Sequence, residues 1–299
     1  MPAILLSLIL PCGLRAQTLQ TGAAVSAETS SRPSEKYGSN PSAGSTFTHD
    51  GVRLYYEIYG AGEPLLLVHG NGASIASFKA QIDYFRKHYR VIAIDSRDQG
   101  RSGDSPDKIT YEKMTGDLAA LLDHLATGPV YVLGWSDGGI EALELGILYP
   151  EKVKKIAAMA ANLDPEGAEP EVIALVKTML DSVPTDARQT PQGKRELKVT
   201  QMLLEEPHIP LASLEKITAP TLILASDHDV IRDDHTLAIY HHIPNSELAI
   251  FPNATHMIPY DDPDLFDTTV ERFFQTPFVK KDRIKDLLKS MGSMKASEN

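Results

Sequence analysis

The sequence predicts an α/β fold, in which a mostly parallel central sheet has helices on both faces and carries a small helical cap. Two observations predict it. From residue 46 onward, short segments that are apolar at nearly every position alternate with segments long enough to form helices, and such strands are covered on both faces. In addition, a glycine-rich turn around Ser136 lies between one apolar strand and one helical stretch. The predicted fold spans residues 46–276.

The composition is that of a globular protein with a substantial core. The chain has 299 residues, of which 42% are hydrophobic and 23% are charged. A chain of this length buries roughly three quarters of the surface that its unfolded form exposes. The net charge of −11 argues against a nucleic-acid partner held through phosphate contacts. Nothing in the sequence indicates an oligomeric state.

Residues 1–16 resemble a secretory signal peptide. The apolar residues 3–10 are followed by Pro11 and by the small residue Ala16, and the apolar stretch is too short to span a bilayer. We therefore expect cleavage after Ala16 and export to the periplasm or the extracellular space, with no stable membrane span. Lipid attachment at Cys12, the single cysteine, is the alternative, although Pro11 fits a lipoprotein signal poorly.

Two further segments are expected to lie outside the α/β fold. Residues 17–45 are rich in small and polar side chains without apolar periodicity, which is typical of a flexible segment. Residues 277–299 are basic. They have the pattern of a short amphipathic helix, but a solvated tail is the interpretation that we prefer.

The predicted strands locate the functional site before any motif is considered. In chain order they cover residues 52–58, 65–68, 91–94, 130–133, 153–159, 221–225 and 248–251. Parallel sheets of this kind bind ligands at the carboxyl ends of their strands. The loops that follow the last six strands are therefore expected to open on one edge of the sheet and to carry the site.

The alternation of strands and helices stops between residues 162 and 214. This stretch carries six prolines, with helical runs near residues 171–180 and 195–204. About fifty residues build too small a core for an independent domain. We expect a helical cap that lies over the site, excludes water from the reaction and shapes the substrate pocket.

The turn that links the fourth apolar strand to the next helix carries the clearest chemical signal. Residues 134–139 read Gly-Trp-Ser-Asp-Gly-Gly, which is a G-x-S-x-G pattern between a strand and a helix. This context predicts a nucleophile elbow, a turn so sharp that its flanking positions must lack bulk and that holds the Ser136 hydroxyl outward. An ordinary glycine-rich turn is the alternative.

A serine hydroxyl needs a base, and His256 has the position expected of one. It lies in the loop after the last predicted strand, on the edge where the serine is expected. Ten histidines compete for this role. Four of them follow the preceding strand, in a polar loop or on a helix, and are interpreted as surface residues: His228, His235, His241 and His242.

The acid that orients the histidine is expected between the serine and the histidine in the chain. The strand at 221–225 leads into a loop with two candidates, Asp227 and Asp229. We choose Asp229, because the first aspartate of a tight turn commonly bonds its own backbone. Asp164, on an earlier loop, is a third candidate. A metal site at Asp227 and its neighbours lacks a convincing set of further ligands, so no metal is predicted.

Two backbone N–H groups are expected to form an oxyanion hole, which stabilises the negative charge of a tetrahedral intermediate. One is the N–H of Asp137, directly after the serine, and the other is the N–H of Asn71 in the segment His-Gly-Asn-Gly at residues 69–72. His69 is interpreted as a structural residue that ties this loop down.

These motifs together resemble the α/β-hydrolase superfamily over residues 46–275. The resemblance is carried by residues 69–72, by residues 95–102 (Asp-Ser-Arg-Asp-Gln-Gly-Arg-Ser), by the elbow, by the Asp229 loop and by His256, all in the superfamily's order. Residues 95–102 are similar to the superfamily's D-x-R-G-x-G-x-S loop, with Asp98 where glycine is usual. The resemblance implies the α/β-hydrolase fold and a hydrolase that uses Ser136 as nucleophile.

The leading functional hypothesis is a serine hydrolase that cleaves carboxylic esters of small molecules without a cofactor. Ser136 attacks, His256 transfers the proton and Asp229 orients His256. The same triad would also suit a peptidase, a lactonase, a C–C bond hydrolase or a perhydrolase. Serine at this position argues against haloalkane dehalogenases and epoxide hydrolases, which use a carboxylate nucleophile. A non-catalytic small-molecule-binding protein on the same frame is the alternative from another class.

The elbow is also similar to that of the valacyclovir-hydrolase-like esterases. In those enzymes the acid after the nucleophile contacts the ammonium group of an amino-acid ester. Trp135 and Asp137 are therefore expected to line the substrate site, with Asp137 as a candidate contact for an ammonium group. The alternative is that the Asp137 carboxylate only satisfies nearby backbone donors.

Overall fold

The computed structural model describes residues 36–297. The predicted signal peptide at residues 1–16, with Cys12, and the predicted flexible residues 17–35 lie outside this described part. Cleavage after Ala16, export and lipidation therefore stay predictions.

The described chain forms eight β-strands and nine α-helices, connected in places by short 3-10 helices. The strands are β1 (Gly44–His49), β2 (Val52–Tyr59), β3 (Glu63–Val68), β4 (Tyr89–Asp95), β5 (Val130–Trp135), β6 (Val153–Met159), β7 (Thr221–His228) and β8 (Ser246–Thr255). The helices are α1 (Lys79–Phe85), α2 (Tyr111–His124), α3 (Asp137–Leu148), α4 (Pro170–Ser182), α5 (Pro191–Glu205), α6 (Asp233–His242), α7 (Ile258–Asp261), α8 (Pro263–Gln275) and α9 (Arg283–Ser297).

All eight strands join one sheet in the order β1-β2-β4-β3-β5-β6-β7-β8. The pairs β1–β2 and β2–β4 are antiparallel, and every pair from β4 to β8 is parallel. Successive side chains of a strand point to opposite faces. Leu66 and Ile92 accordingly pack with α2 and α3 on one face, whereas Leu65 and Val91 pack with α1 and α8 on the other. The predicted fold class is confirmed.

The fold begins earlier than the sequence pattern indicated. Strand β1 was not predicted, because it pairs with β2 at the edge of the sheet and only Phe47 among its side chains is buried. Upstream of β1, the N–H groups of Gly38 and Asn40 each donate to the carboxylate of Glu57, at 2.8 Å. The prediction of a flexible segment is therefore wrong for residues 36–45.

The chain leaves the sheet between β6 and β7, in the region where a cap was predicted at residues 162–214. The helical runs expected there correspond to α4 and α5. Helix α5 packs against the loop that follows β4. The Arg195 guanidinium pairs with Asp104 at 2.5 Å, and the ammonium of Lys108 in that loop pairs with Glu205 at 3.1 Å.

The C-terminal basic segment contains helix α9, over residues 283–297. Its apolar side chains are exposed, including Ile284, Leu287 and Leu288. The helix agrees with the amphipathic-helix interpretation of this segment, and its exposed side chains agree with the solvated tail that we preferred. Within residues 36–297, no helix combines the length and the apolar character needed to cross a membrane.

Candidate active site

Ser136 lies in a strained backbone conformation between β5 and α3. Its φ of 59° and ψ of −118° place a non-glycine residue at positive φ, which is costly and clusters at functional sites. The strain is held by hydrogen bonds: the Ser136 N–H donates to the carbonyl of Met159 at 2.8 Å, and the Ser136 carbonyl accepts from Gly139 at 2.8 Å and Ile140 at 3.1 Å. The geometry is that of the predicted nucleophile elbow.

The glycines of the G-x-S-x-G pattern are required by close approach of the backbone. A Cβ at Gly134 would lie 1.9 Å from the carbonyl oxygen of Gly138, and a Cβ at Gly138 would lie 1.9 Å from that of Val68. Neither distance is compatible with a side chain, and the atoms met are backbone atoms that cannot move aside. The elbow is thus packed against the carboxyl end of β3, beside the segment 69–72.

His256 and Asp229 are hydrogen-bonded to each other. His256 Nδ1 lies 2.7 Å from Asp229 Oδ1, and the Asp229 side chain is only 1% exposed. The backbone N–H groups of Val230 and Ser226 also donate to this carboxylate, at 2.8 and 3.1 Å. A carboxylate at Nδ1 holds the ring proton on that nitrogen, which leaves Nε2 able to accept a proton.

The other candidate acids have different partners. The Asp227 carboxylate accepts from the N–H groups of Asn253 at 2.7 Å and Ala254 at 3.0 Å, and these hydrogen bonds lower its pKa. Asp164 lies at the entry to the cap, where its carbonyl oxygen accepts from the Asn162 amide at 2.7 Å. No group of side chains in residues 36–297 is arranged to hold a metal ion.

His256 lies beside both chain neighbours of Ser136. The indole N–H of Trp135 donates to the His256 carbonyl oxygen at 3.0 Å, and the two rings are 5.9 Å apart between centroids. On the other side, burial raises the pKa of Asp137, and the charge of the protonated His256 imidazole counteracts part of this rise. The structure therefore places both the elbow that carries Ser136 and the hydrogen-bonded pair of His256 and Asp229 at the carboxyl edge of the sheet. The indole N–H of Trp135 points to the backbone carbonyl of His256.

The side chain of Asp137 points into the protein. It is buried, with one oxygen accepting from the Tyr111 hydroxyl at 2.8 Å and the other from Asn71 Nδ2 at 2.9 Å. Burial raises the pKa of Asp137 to about 6, against the two hydrogen bonds, which lower it. These contacts favour a structural role of the Asp137 carboxylate over contact with a substrate ammonium group. The alternative interpretation expected backbone N–H groups as the donors to this carboxylate, whereas the donors in the structure are side chains. The Asp137 N–H begins α3 and has no acceptor within that helix.

The segment 69–72 is fixed by a network of hydrogen bonds. His69 is buried, and its Nε2 accepts from the Ser96 N–H at 3.1 Å while Nδ1 donates to the Gly70 carbonyl at 2.8 Å. Burial lowers the pKa of His69, and the Asp95 carboxylate acts in the opposite direction. These contacts fit the structural role expected of His69.

The side chain of Asn71 connects the segment 69–72 to helices α3 and α5. Besides donating to Asp137, its Nδ2 donates to the carbonyl of Val199 in α5 at 3.0 Å. The next N–H, that of Gly72, donates to Gln99 Oε1 at 2.7 Å. The roles of Gln99, Tyr111 and α5 in this network were not predicted, because no local motif marks a hydrogen bond between residues so far apart in the chain.

Glu141, one turn after Asp137 on α3, is an unpaired buried acid. It is 0% exposed, and neither carboxyl oxygen has a hydrogen-bond partner within the described chain. Burial raises its pKa well above the usual range, and the charge of Asp137 adds to this. The folded protein therefore binds this proton more tightly than the unfolded chain does. Ionisation opposes folding as the pH rises above the unfolded carboxyl pKa of about 4.3.

Replacing Glu141 with methionine, an unbranched side chain without a charge, is expected to stabilise the protein at alkaline pH. We expect the free energy of unfolding to rise by about 1–3 kcal/mol at pH 8, since a buried polar group without partners costs about that much. The gain at pH 4 is expected to be smaller. Urea unfolding at both pH values measures it, with Glu112→Gln on the exposed face of α2 as control. An equal gain at both pH values, or a loss at pH 8, would contradict the argument.

Comparison with known proteins agrees with the fold and the elbow. A family model described as the alpha/beta hydrolase fold matches residues 63–208. A solved hydrolase from Pseudomonas aeruginosa superimposes with a TM-score of 0.66 at 24% identity, covering 79% of this chain and all of that one. The protein is a member of the α/β-hydrolase superfamily. The prediction drawn from the motifs is confirmed at this level.

Relatives of this α/β hydrolase act on different substrates. An sn-1-specific diacylglycerol lipase of Danio rerio is 28% identical over 89% of this chain and 94% of the lipase. A 2-hydroxy-6-oxononadienedioate/2-hydroxy-6-oxononatrienedioate hydrolase of Burkholderia vietnamiensis is 26% identical over 75% of this chain and 91% of that enzyme. Both relatives are hydrolases by name. They agree with the expectation that this chain is a hydrolase, and they differ in the substrate.

Proposed function

We propose that this hydrolase cleaves carboxylic esters of small molecules through an acyl-enzyme intermediate on Ser136. One observation carries the proposal. The strained elbow serine directly follows Trp135, which hydrogen-bonds to the backbone of His256, and the Nδ1 of this histidine is 2.7 Å from a buried carboxylate. A serine, an imidazole and a buried acid in this relation form the machinery of acyl transfer on several unrelated folds.

In the acylation step, Ser136 Oγ attacks the acyl carbon while His256 Nε2 takes its proton. Asp229 holds the imidazole in the required tautomer and stabilises the imidazolium that forms. The two backbone N–H groups that donate to Asp229 fix the carboxylate in turn. His256 then gives the proton to the departing alcohol, and the acyl group stays on Ser136.

The oxyanion of the tetrahedral intermediate needs donors, and the N–H groups of Asp137 and Asn71 are the proposed pair. Asp137 is the first residue of α3, so its N–H and the positive end of the helix dipole lie beside the reacting carbon. Asn71 is held by its own side chain. Donors fixed in advance need no reorganisation when the charge develops.

Deacylation repeats the chemistry with water as the nucleophile. His256 Nε2 takes a proton from the water, which attacks the acyl carbon, and Ser136 leaves with that proton. No cofactor takes part in this scheme. Ester cleavage is favoured among the acyl substrates because the lipase of Danio rerio, by its name, acts on diacylglycerol.

A fluorophosphonate probe and p-nitrophenyl esters test the proposal. We expect the probe to label Ser136, as located by peptide mass spectrometry, and p-nitrophenyl acetate to release a burst of nitrophenol. His256→Ala is expected to suppress both, whereas His228→Ala, with a side chain 71% exposed, serves as the matched control. Ligand binding without nitrophenol release would support a binding protein instead. Label on another residue would overturn the assignment.

A substrate panel resolves the choice between esters and other acyl compounds. It contains p-nitrophenyl esters of rising chain length, a phenylalanyl ester with its deaminated twin, a lactone and a peptide. We expect the simple esters to give the highest kcat/KM. A large preference for the phenylalanyl ester over its twin that Asp137→Ala removes would favour an amino-acid-ester hydrolase.

A further inference from the structure

Asp98 occupies the position where the resembling loop motif usually has glycine. Its φ is 61°, a left-handed conformation that aspartate tolerates better than most side chains. The carboxylate is fully buried, forms an ion pair with Lys198 of α5 and accepts from the Ser105 N–H at 3.2 Å. Because an ionised buried carboxylate is costly without a partner, this pair fastens α5 to the loop that follows β4.

The neighbouring residues of this ion pair both contact the proposed oxyanion segment. In α5, Lys198 is followed by Val199, whose carbonyl accepts from Asn71 Nδ2 at 3.0 Å. In the loop, Asp98 is followed by Gln99, whose Oε1 accepts from the Gly72 N–H at 2.7 Å. Since Gly72 presents a donor, the oxygen of the Gln99 amide must face it, and the amide orientation is fixed.

These contacts close a ring of three segments. The loop residues 98–99 bind the cap residues 198–199 through the ion pair, the cap binds Asn71, and Gly72 binds the loop again. The backbone around the Asn71 N–H is therefore fixed at two points. One is the Asn71 side chain, which donates to Asp137 and Val199, and the other is the Gly72 N–H, which donates to Gln99. The cap supplies one of these two supports.

We propose that cap helix α5 sets the position of the oxyanion donor Asn71 through this closed ring, with Asp98, Gln99 and Lys198 as positioning residues. The inference rests on the proposed serine-hydrolase function. The rate of acyl transfer depends on donors fixed close to the developing oxyanion. Loosening α5 is therefore expected to reduce turnover, besides any effect on substrate binding.

Hydrogen–deuterium exchange tests the ring without using any substrate. Lys198→Met removes the ion pair and keeps most of the apolar stem. We expect faster deuterium uptake in peptides that contain residues 69–72. Lys194→Met, an exposed lysine one turn earlier on α5, is the control and is expected to leave this uptake unchanged. Faster exchange in the cap alone, with residues 69–72 unaffected, would overturn the proposal.

Asp98→Asn is the second variant, for the case that Lys198→Met does not fold. It keeps the size of the side chain and an acceptor for Ser105, but it removes the charge that binds Lys198. Circular dichroism establishes folding of each variant before exchange is measured. Lys198→Arg keeps a cation and is expected to restore slow exchange at residues 69–72.

Kinetics on p-nitrophenyl acetate provide the second readout. We expect Lys198→Met and Gln99→Met each to lower kcat roughly 10- to 100-fold, less than or similar to loss of an oxyanion donor, with KM nearly unchanged. Because both act through one ring, the double variant is expected to lose little more than the worse single variant. Additive losses, or an effect on KM alone, would overturn the proposal. If the unmodified protein lacks esterase activity, the proposed function fails, and the exchange experiment still decides the ring.

Discussion

Replacing Ser136 with alanine is expected to lower ester hydrolysis by roughly 10⁶-fold in kcat, the scale of the loss when a serine-triad nucleophile is removed. The physical reason is that the acyl group has no oxygen to which it can transfer, while the proposed oxyanion donors and the substrate site stay in place. The fold should persist, because serine and alanine carry the same Cβ and the strain at φ 59° is nearly the same for both.

Steady-state kinetics on p-nitrophenyl acetate and thermal unfolding measure the two parts of this prediction. Ser182→Ala, an exposed serine on α4, is the control and is expected to match the unmodified protein. A Ser136→Ala variant that keeps more than about a hundredth of the activity would place the chemistry elsewhere, since removal of a triad nucleophile lowers kcat by far more than about a hundredfold.

Replacing Asp229 with asparagine is expected to lower kcat by about 10⁴-fold with little change in overall fold. The amide nitrogen of asparagine donates where the carboxylate accepts, so it forces the His256 proton onto Nε2, the nitrogen that must accept the serine proton. The imidazolium also loses the negative charge that stabilises it. Asparagine has one oxygen for the N–H groups of Ser226 and Val230, so some loss of stability is expected as well.

The matched control for this variant is Asp227→Asn, two residues earlier in the same loop. Asp227 is 40% exposed and accepts from two backbone N–H groups of β8, so its replacement is expected to change kcat by less than tenfold. The measurement is kcat and kcat/KM for both variants on one ester, between pH 5 and pH 9. A larger loss for Asp227→Asn than for Asp229→Asn would exchange the roles of the two residues.

Local sequence patterns were sufficient for the sheet and the elbow. The seven predicted strands correspond to β2 through β8, because each of them contains a run of apolar residues. The edge strand β1 escaped prediction for the opposite reason: it buries Phe47 alone. The predicted boundary of the flexible segment at residue 45 was also wrong. Residues 38 and 40 are held by hydrogen bonds from their backbone N–H groups to Glu57, and such bonds leave no hydrophobic pattern in the sequence.

The two candidate acids after β7 have different partners, for a reason that the sequence did not show. We preferred Asp229 because a first aspartate commonly bonds its own turn. In the structure Asp227 does accept backbone N–H groups, but they belong to Asn253 and Ala254, 26 and 27 residues away. It is the pairing of β7 with β8 that occupies Asp227 and leaves Asp229 to the histidine.

The sequence by itself determined seven strands along the chain, the elbow, and the edge of the sheet to which the loops with Ser136, Asp229 and His256 belong. These are consequences of local steric demands and of strand direction, which residue type and spacing record directly. Only the tertiary structure decided that Asp137 turns inward to Tyr111 and Asn71, and that α5 supports the oxyanion segment. The Asn71–Val199 contact joins residues 128 positions apart. Such contacts depend on how the cap packs on the loops, which no periodicity of the chain encodes.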